Sequence, residues 1–351
     1  MFARWERFRQ RRLERSLLHQ QTTRCDWPAM NFRLEDDGLW AYADTTKYTR
    51  SHPRRPDELR EVLLAGGLAP ASVGKLLSGG FPLSSTNNPD LNRVLATCEE
   101  ALRETGEWPG RVPVGLGLVH YFNAGAHRSF WGHTVLLHAG LVLGLDELNT
   151  WLLMYEATTQ GGFYRIDLTN DPEIEVSLVQ PPPDPRWEQK ARDSLSFFAG
   201  HSRGINGAVP VTDQDIEDAH SWPETARMGY TFAFVQRCWV LLHEFGHVVM
   251  DHRPSTAAQE RAEELEADRF ATRVLLRAPK LGDSVPLDLP LRYLFGTWQL
   301  AQTAYPPPGD RHPLASERMK AVWETASRYA DWGEPTLPDS VQALSATLTR
   351  S

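Results

Sequence analysis

Residues 243 to 247 read His-Glu-Phe-Gly-His. On a helix, His243 and His247 stand one turn apart on one face, so both imidazoles reach the same point. That spacing suits two nitrogens binding one zinc ion at about 2.0–2.1 Å. Glu244 lies one residue along, beside that point, where a carboxylate can take a proton from an attacking water. The flanking Leu241, Leu242, Phe245, Val248 and Val249 are apolar. Two histidines and a glutamate are costly to bury in such a helix unless a metal offsets their desolvation. The alternative is a solvent-facing polar stripe, for which these flanks leave little room.

A catalytic zinc needs a third protein ligand and an open position. A glycine and a third histidine do not follow at the spacing some zinc peptidases use, because Met250 and Arg253 stand there. His252 falls half a turn out of phase with His243 on a continuing helix and reads as a helix-end histidine. The next segment, from Ala257 to Ala278, predicts an amphipathic helix stopped by Pro279. Of its glutamates Glu260, Glu263, Glu264 and Glu266, only Glu264 has an aspartate four residues on, Asp268. In that register Glu264 binds the metal, and Asp268 on the same face orients a ligating histidine through its other ring nitrogen. The remaining three glutamates read as solvating charges.

These residues need long helices to hold them, and the chain supplies the pattern. No proline interrupts 229–252, and mostly helix is expected from Ser221-Trp222-Pro223 onward, broken at Pro254 and Pro279. Asn88-Pro89 predicts the start of a helix running to about Gly106. The apolar, β-branched stretches 112–121 and 133–145 predict buried strands, and 163–179 a hairpin. Residues 20 to 56 read as irregular structure, and 57–79 as two short helices ending in glycines. That pair loosely suggests a helix-turn-helix. The Pro-rich 180–185 and 305–313 read as stiff breaks.

The 351 residues carry a net charge of −8, which argues against nucleic acid as the main partner. Cys25, Cys98 and Cys238 are scattered and form no CxxC pair, which suits a reducing compartment and leads to a cytoplasmic expectation. No apolar run is long enough for a transmembrane helix. The arginine-rich start lacks the apolar core of a secretory signal. Phe2, Trp5 and Phe8 share one side of that first helix. Two readings stay open for it: a solvated helix packed by its aromatics, or a surface for membrane or anionic partners.

The stretches "LLHEFGHVVMDH" and "EELEADRFA" together resemble the gluzincin metallopeptidases. The likeness is to the branch holding the heat-shock peptidase HtpX, the CAAX prenyl protease and their soluble relatives, and to the Lit-type phage-exclusion peptidases. Residues 122–148 resemble that branch's Asn-Ala segment and edge strand, and 311–322 its late His-Pro…Arg segment. The likeness spans less than half of the chain. It implies an α+β zincin-type fold, predominantly helical, with a small sheet over the zinc-binding helix. It implies one zinc per chain, held by His243, His247 and Glu264, with Glu244 as general base and hydrolysis of a protein or peptide substrate. Substrate is expected to pair as an added strand along Gly132–His138, at Val135 and Leu136. His312 and Arg318 are the candidates to steady the oxyanion, against structural roles in which His312 caps a loop and Arg318 pairs with Asp268. The expected organisation is a mainly helical region over 1–110, then a peptidase domain over 111–351 with an insertion around 150–220. The rival readings are a zinc-stabilised binding protein without turnover, and a peptidase fused to a DNA-binding module.

Overall fold

The computed structural model describes residues 2–25, 30–44, 76–118, 124–159, 163–167, 175–179, 186–192, 223–278, 286–304 and 312–348, with isolated helical residues at 46–47, 50, 59–60 and 74. The Pro-rich 180–185, most of the Pro-rich 305–313, Asn123 and most of the 57–79 helix pair lie outside the described residues.

Two long helices carry the chemistry-bearing residues. Helix α4 (Pro223–Val249) is apolar around most of its circumference, which marks a central buried helix. It packs against α2 (Pro89–Glu104), α3 (Ala139–Thr159), α5 (Ala257–Arg277) and α6 (Asp288–Ala304). Trp239, Leu241, Leu242 and Phe245 are fully enclosed. Polar locks fix its neighbours: the Gln236 and Asn149 side chains bond each other across α3 and α4, and Gln236 also donates to the Pro290 carbonyl at 2.8 Å. Arg237 reaches Asp146 and the Val142 carbonyl of α3. Helix α2 begins where Asn88-Pro89 predicts, with the Asn88 side chain accepting from the Leu91 N–H.

Above α4 lies a three-stranded sheet in the order β4 (Val114–Gly117), β6 (Gly132–His138), β5 (Ala124–Ser129). β4 runs parallel to β6 and β5 antiparallel. Helix α1 (Phe2–Thr23) covers β4 and β6, while α4 touches β5 and β6. A separate hairpin, β1 (Met30–Glu35) with β2 (Gly38–Ala43), pairs with the short β3 (Phe81–Pro82). The 163–179 hairpin is present as β7 (Phe163–Asp167) against β8 (Glu175–Val179). Helices α7 (Ala315–Ala326) and α8 (Asp339–Leu348) complete the chain.

The architecture is mostly helical with small sheets, as an α+β reading expects. Two local expectations need correction. Residues 30–43 form a hairpin rather than irregular structure, because Leu39 and Ala41 alternate into the core along a short strand. Residues 139–145 continue from β6 into helix α3, since a short apolar run carries no period that separates a buried strand from a buried helix. α3 runs through residue 150, with Trp151, Leu152 and Met154 buried. Leu39, Leu83 and Leu102 share one apolar cluster with Trp239 and Phe295.

Candidate metal and catalytic site

Helices α4 and α5 approach closely at one glycine. A Cβ on Gly246 would lie 3.2 Å from the Ala267 Cα and from Phe270 Cδ1, so this small pair lets the two helices meet. That contact brings Glu264 of α5 to the face of α4 that carries both histidines. His243 Nε2 and His247 Nε2 lie 3.1 Å apart. Glu264 places one carboxylate oxygen 3.4 Å from the first and the other 3.5 Å from the second. Two nitrogens bound tetrahedrally to zinc stand about 3.3 Å apart, so the pair is already spaced for a shared ion. The three ligand atoms fall within 4.8 Å of one another.

Each histidine is oriented through its other nitrogen. Asp268, fully buried, accepts from His243 Nδ1 at 2.8 Å. Arg318 grips the same carboxylate with bonds of 2.6 and 2.9 Å. The Trp239 ring stacks on His243 at 5.7 Å between centroids. His247 Nδ1 meets His252 Nδ1 at 2.8 Å, and His252 Nε2 lies 3.4 Å from Glu266. With the proton on Nδ1 of His243 and of His247, each Nε2 would present its lone pair to the common point.

The charges agree with that arrangement. Burial pulls the His243 imidazolium down, but its bonds to Asp268 and Glu264 outweigh this and carry it to about 9. Burial and the charge on His243 push His247 down to about 3. Against the cost of burial, the His243 bond holds Glu264 well below the ordinary carboxylate range. Likewise the Arg318 charge holds Asp268 low despite burial. The cluster thus sets a carboxylate held ionised, on Glu264, beside a neutral imidazole on His247, two groups whose lone pairs a cation could share.

Glu244 stands apart from the trio. It is buried against β5, where the Ala126 N–H donates to its carboxylate. Burial raises it to about 7, countered by the His243 charge and reinforced by Glu264. A carboxyl near neutrality suits proton transfer in both directions at ordinary pH.

The strand beside Glu244 differs from the expected one. β6 is the central strand, paired on both sides, and Val135 and Leu136 are fully buried. No substrate strand can add to it, so these two residues are core rather than substrate-binding. The outer strand is β5, with no further strand beyond it among the described residues. Its residues alternate between facing β6 and facing outward, and Ala126 and Arg128 take the outward positions.

Of the late segment, Arg318 reaches the site and His312 stands at its margin. Arg318 is committed to Asp268, lies over the Trp298 ring at 4.8 Å, and comes within 4.0 Å of Glu264. His312 is exposed, with Nε2 3.6 Å from Glu260, one turn before Glu264 on α5. Glu260 and Glu263 stay outside the trio, the latter accepting from the Arg253 N–H.

The residue that the sequence pattern missed is His252. The chain leaves α4 through Asp251, the only non-glycine residue with positive φ (50°) among those described, and the His252 N–H bonds the His247 carbonyl. This reversal folds His252 back onto His247, whereas a continued helix would have carried it away. Asp251 is itself held 3.6 Å from both Arg128 and His133.

A family model described as Peptidase U49 matches residues 230–331, which span α4 from Tyr230 through α5, α6 and α7. All the residues that α4, α5 and α7 bring to the site lie within this match, which supports a peptidase. Comparison with curated proteins found no match, and comparison with solved structures found none.

Proposed function

We propose that the chain is a zinc-dependent peptidase of the gluzincin type, with His243, His247 and Glu264 as metal ligands and Glu244 as general base. One observation carries the reading: two imidazole nitrogens and a carboxylate converge on one point, each histidine is backed by its own orienting partner, and a second buried carboxylate stands beside them outside the converging set. A binding protein stabilised by zinc would need the ligands alone. It would have no use for Glu244, whose burial is costly.

Zinc held there would polarise the scissile carbonyl and lower the pKa of water. Glu244 accepts the proton of the attacking water and passes it to the leaving amine, a double task matched to its position near neutrality. The Ala126 N–H fixes the Glu244 carboxylate between these transfers. Substrate lies extended along the outer edge of β5, paired through main-chain groups of residues such as Arg128. Arg318 acts by holding Asp268, and through it His243. His312 is the remaining candidate donor to the oxyanion, carried on the chain entering α7.

The substrate is a protein or peptide. Comparing the proteomes of cells expressing the wild type and Glu244→Gln tests the assignment. At least one protein should be cut only in the presence of the wild-type chain. Identical proteomes would reject it.

A further inference from the structure

The N-terminal half of α1 and the tip of the β5–β6 hairpin form an aromatic ledge that the peptidase reading leaves unused. The C-terminal half of α1 is anchored: Leu13 and Leu17 are buried, and the Gln21 amide donates to the carbonyls of Leu83 and Leu116. The N-terminal half projects past the sheet, with Trp5 54% and Phe8 42% exposed. The hairpin tip meets it there. Trp131 packs edge-on to Phe8 at 5.4 Å and to Phe130 at 5.0 Å, and lies 6.1 Å from Trp5. Arg12 sits over both the Phe8 and Trp131 rings.

Two features say what covers this ledge. Phe130 and Trp131 are the central residues of the two-residue turn joining Ser129 to Gly132. Such turns favour Asn, Asp and Gly, which suit both the backbone and water. Here Phe130 stands 89% exposed, so the turn points a large apolar side chain outward. The second feature is charge. Residues 1–20 hold six arginines and two glutamates, in a chain whose net charge is −8. Glu6 pairs with Arg9 and Glu14 with Arg111, while Arg7, Arg11, Arg12 and Arg15 are exposed along the same helix. The basic charge is therefore concentrated where the aromatics protrude. No helix among those described is long and apolar enough to cross a membrane.

We propose that this ledge docks the protein on an anionic phospholipid surface, with Phe130, Trp5 and Phe8 entering the headgroup–acyl boundary and the α1 arginines contacting lipid phosphates. A protruding turn and helix end suit insertion into a deformable layer, whereas a protein partner is more often met by a groove or flat patch. The arrangement sets Ala126, four residues from Phe130 along β5, about 13 Å from the surface. The proposal is independent of the metal site.

Sedimentation of the full chain with vesicles tests it. Binding is expected to vesicles of equal parts phosphatidylglycerol and phosphatidylcholine, to be absent with phosphatidylcholine alone, and to fall with salt. Phe130→Ser should weaken binding roughly tenfold. Arg7→Ala with Arg11→Ala should weaken it about 25-fold. These side chains are exposed, so thermal melts should match the wild type; if one variant unfolds, the other decides. No binding to anionic vesicles would overturn the proposal, as would binding unaffected by Phe130→Ser. Displacement by soluble polyglutamate at equal charge would also overturn it, and would assign the ledge to an acidic protein.

Discussion

Replacing Asp268 with alanine separates two roles that its position combines. The carboxylate is fully buried and bonds His243 on one side and Arg318 on the other. Removing it strands the Arg318 guanidinium, whose side chain is only 15% exposed and whose contact with the Glu264 carboxylate is long, at 4.0 Å. Leaving one member of a buried pair uncompensated costs about 3–5 kcal/mol. At about 2.1 cal/mol/K per residue, a chain of this length then melts about 4–7 °C lower. Loss of the bond to His243 separately weakens metal binding on the order of 10–100-fold. Pairing Asp268→Ala with Arg318→Met removes the stranded charge, so the double variant should regain most of the stability but none of the metal affinity. Thermal melts of chelated protein and zinc competition against a fluorescent chelator report the two quantities. A double variant that recovers both, or an Asp268→Ala protein that binds zinc normally, would refute the orienting role.

Three further outcomes follow from the geometry. His252→Ala should weaken zinc binding roughly tenfold by releasing His247 Nδ1, with His252→Asn restoring part of it; unchanged affinity would return His252 to the role of a helix-end residue. Arg128→Pro removes an outward N–H of β5 without touching its bonds to β6, so it should lower kcat/KM while zinc content holds, and Arg128→Ala should leave both unchanged; equal effects of the two would move the substrate elsewhere. Glu260→Ala, Glu263→Ala and Glu266→Ala should leave metal content near one per chain, and metal loss in any of them would displace Glu264 as the ligand.

What the sequence disclosed depended on whether a local period carried it. The histidine pair, Glu264 and Asp268 were legible because each relation is an i, i+4 step on one helix, and the convergence of the two helices needs only a close crossing, here at Gly246. His252 was hidden because its approach depends on the left-handed turn at Asp251, a conformation that glycine or asparagine usually marks. The strand exchange had a signal that was read in reverse. The uniformly apolar "TVLL" of β6 suits a strand flanked on both sides, while the small and polar "AGAHRS" of β5 suits an edge. Sheet order itself is a long-range property, and no spacing within either strand encodes it. Arg318 was legible as a partner for Asp268, since both stand in helical segments with charges that require burial in pairs.

Metal content of purified Glu244→Gln beside Glu264→Ala, measured by inductively coupled plasma mass spectrometry after dialysis, tests the central claim most directly. Both substitutions alter a carboxylate at the site, but only one removes a ligand. The expected result is about one zinc per chain in Glu244→Gln and almost none in Glu264→Ala. Zinc retained by Glu264→Ala, or lost from Glu244→Gln, would contradict the assignment of ligand and base.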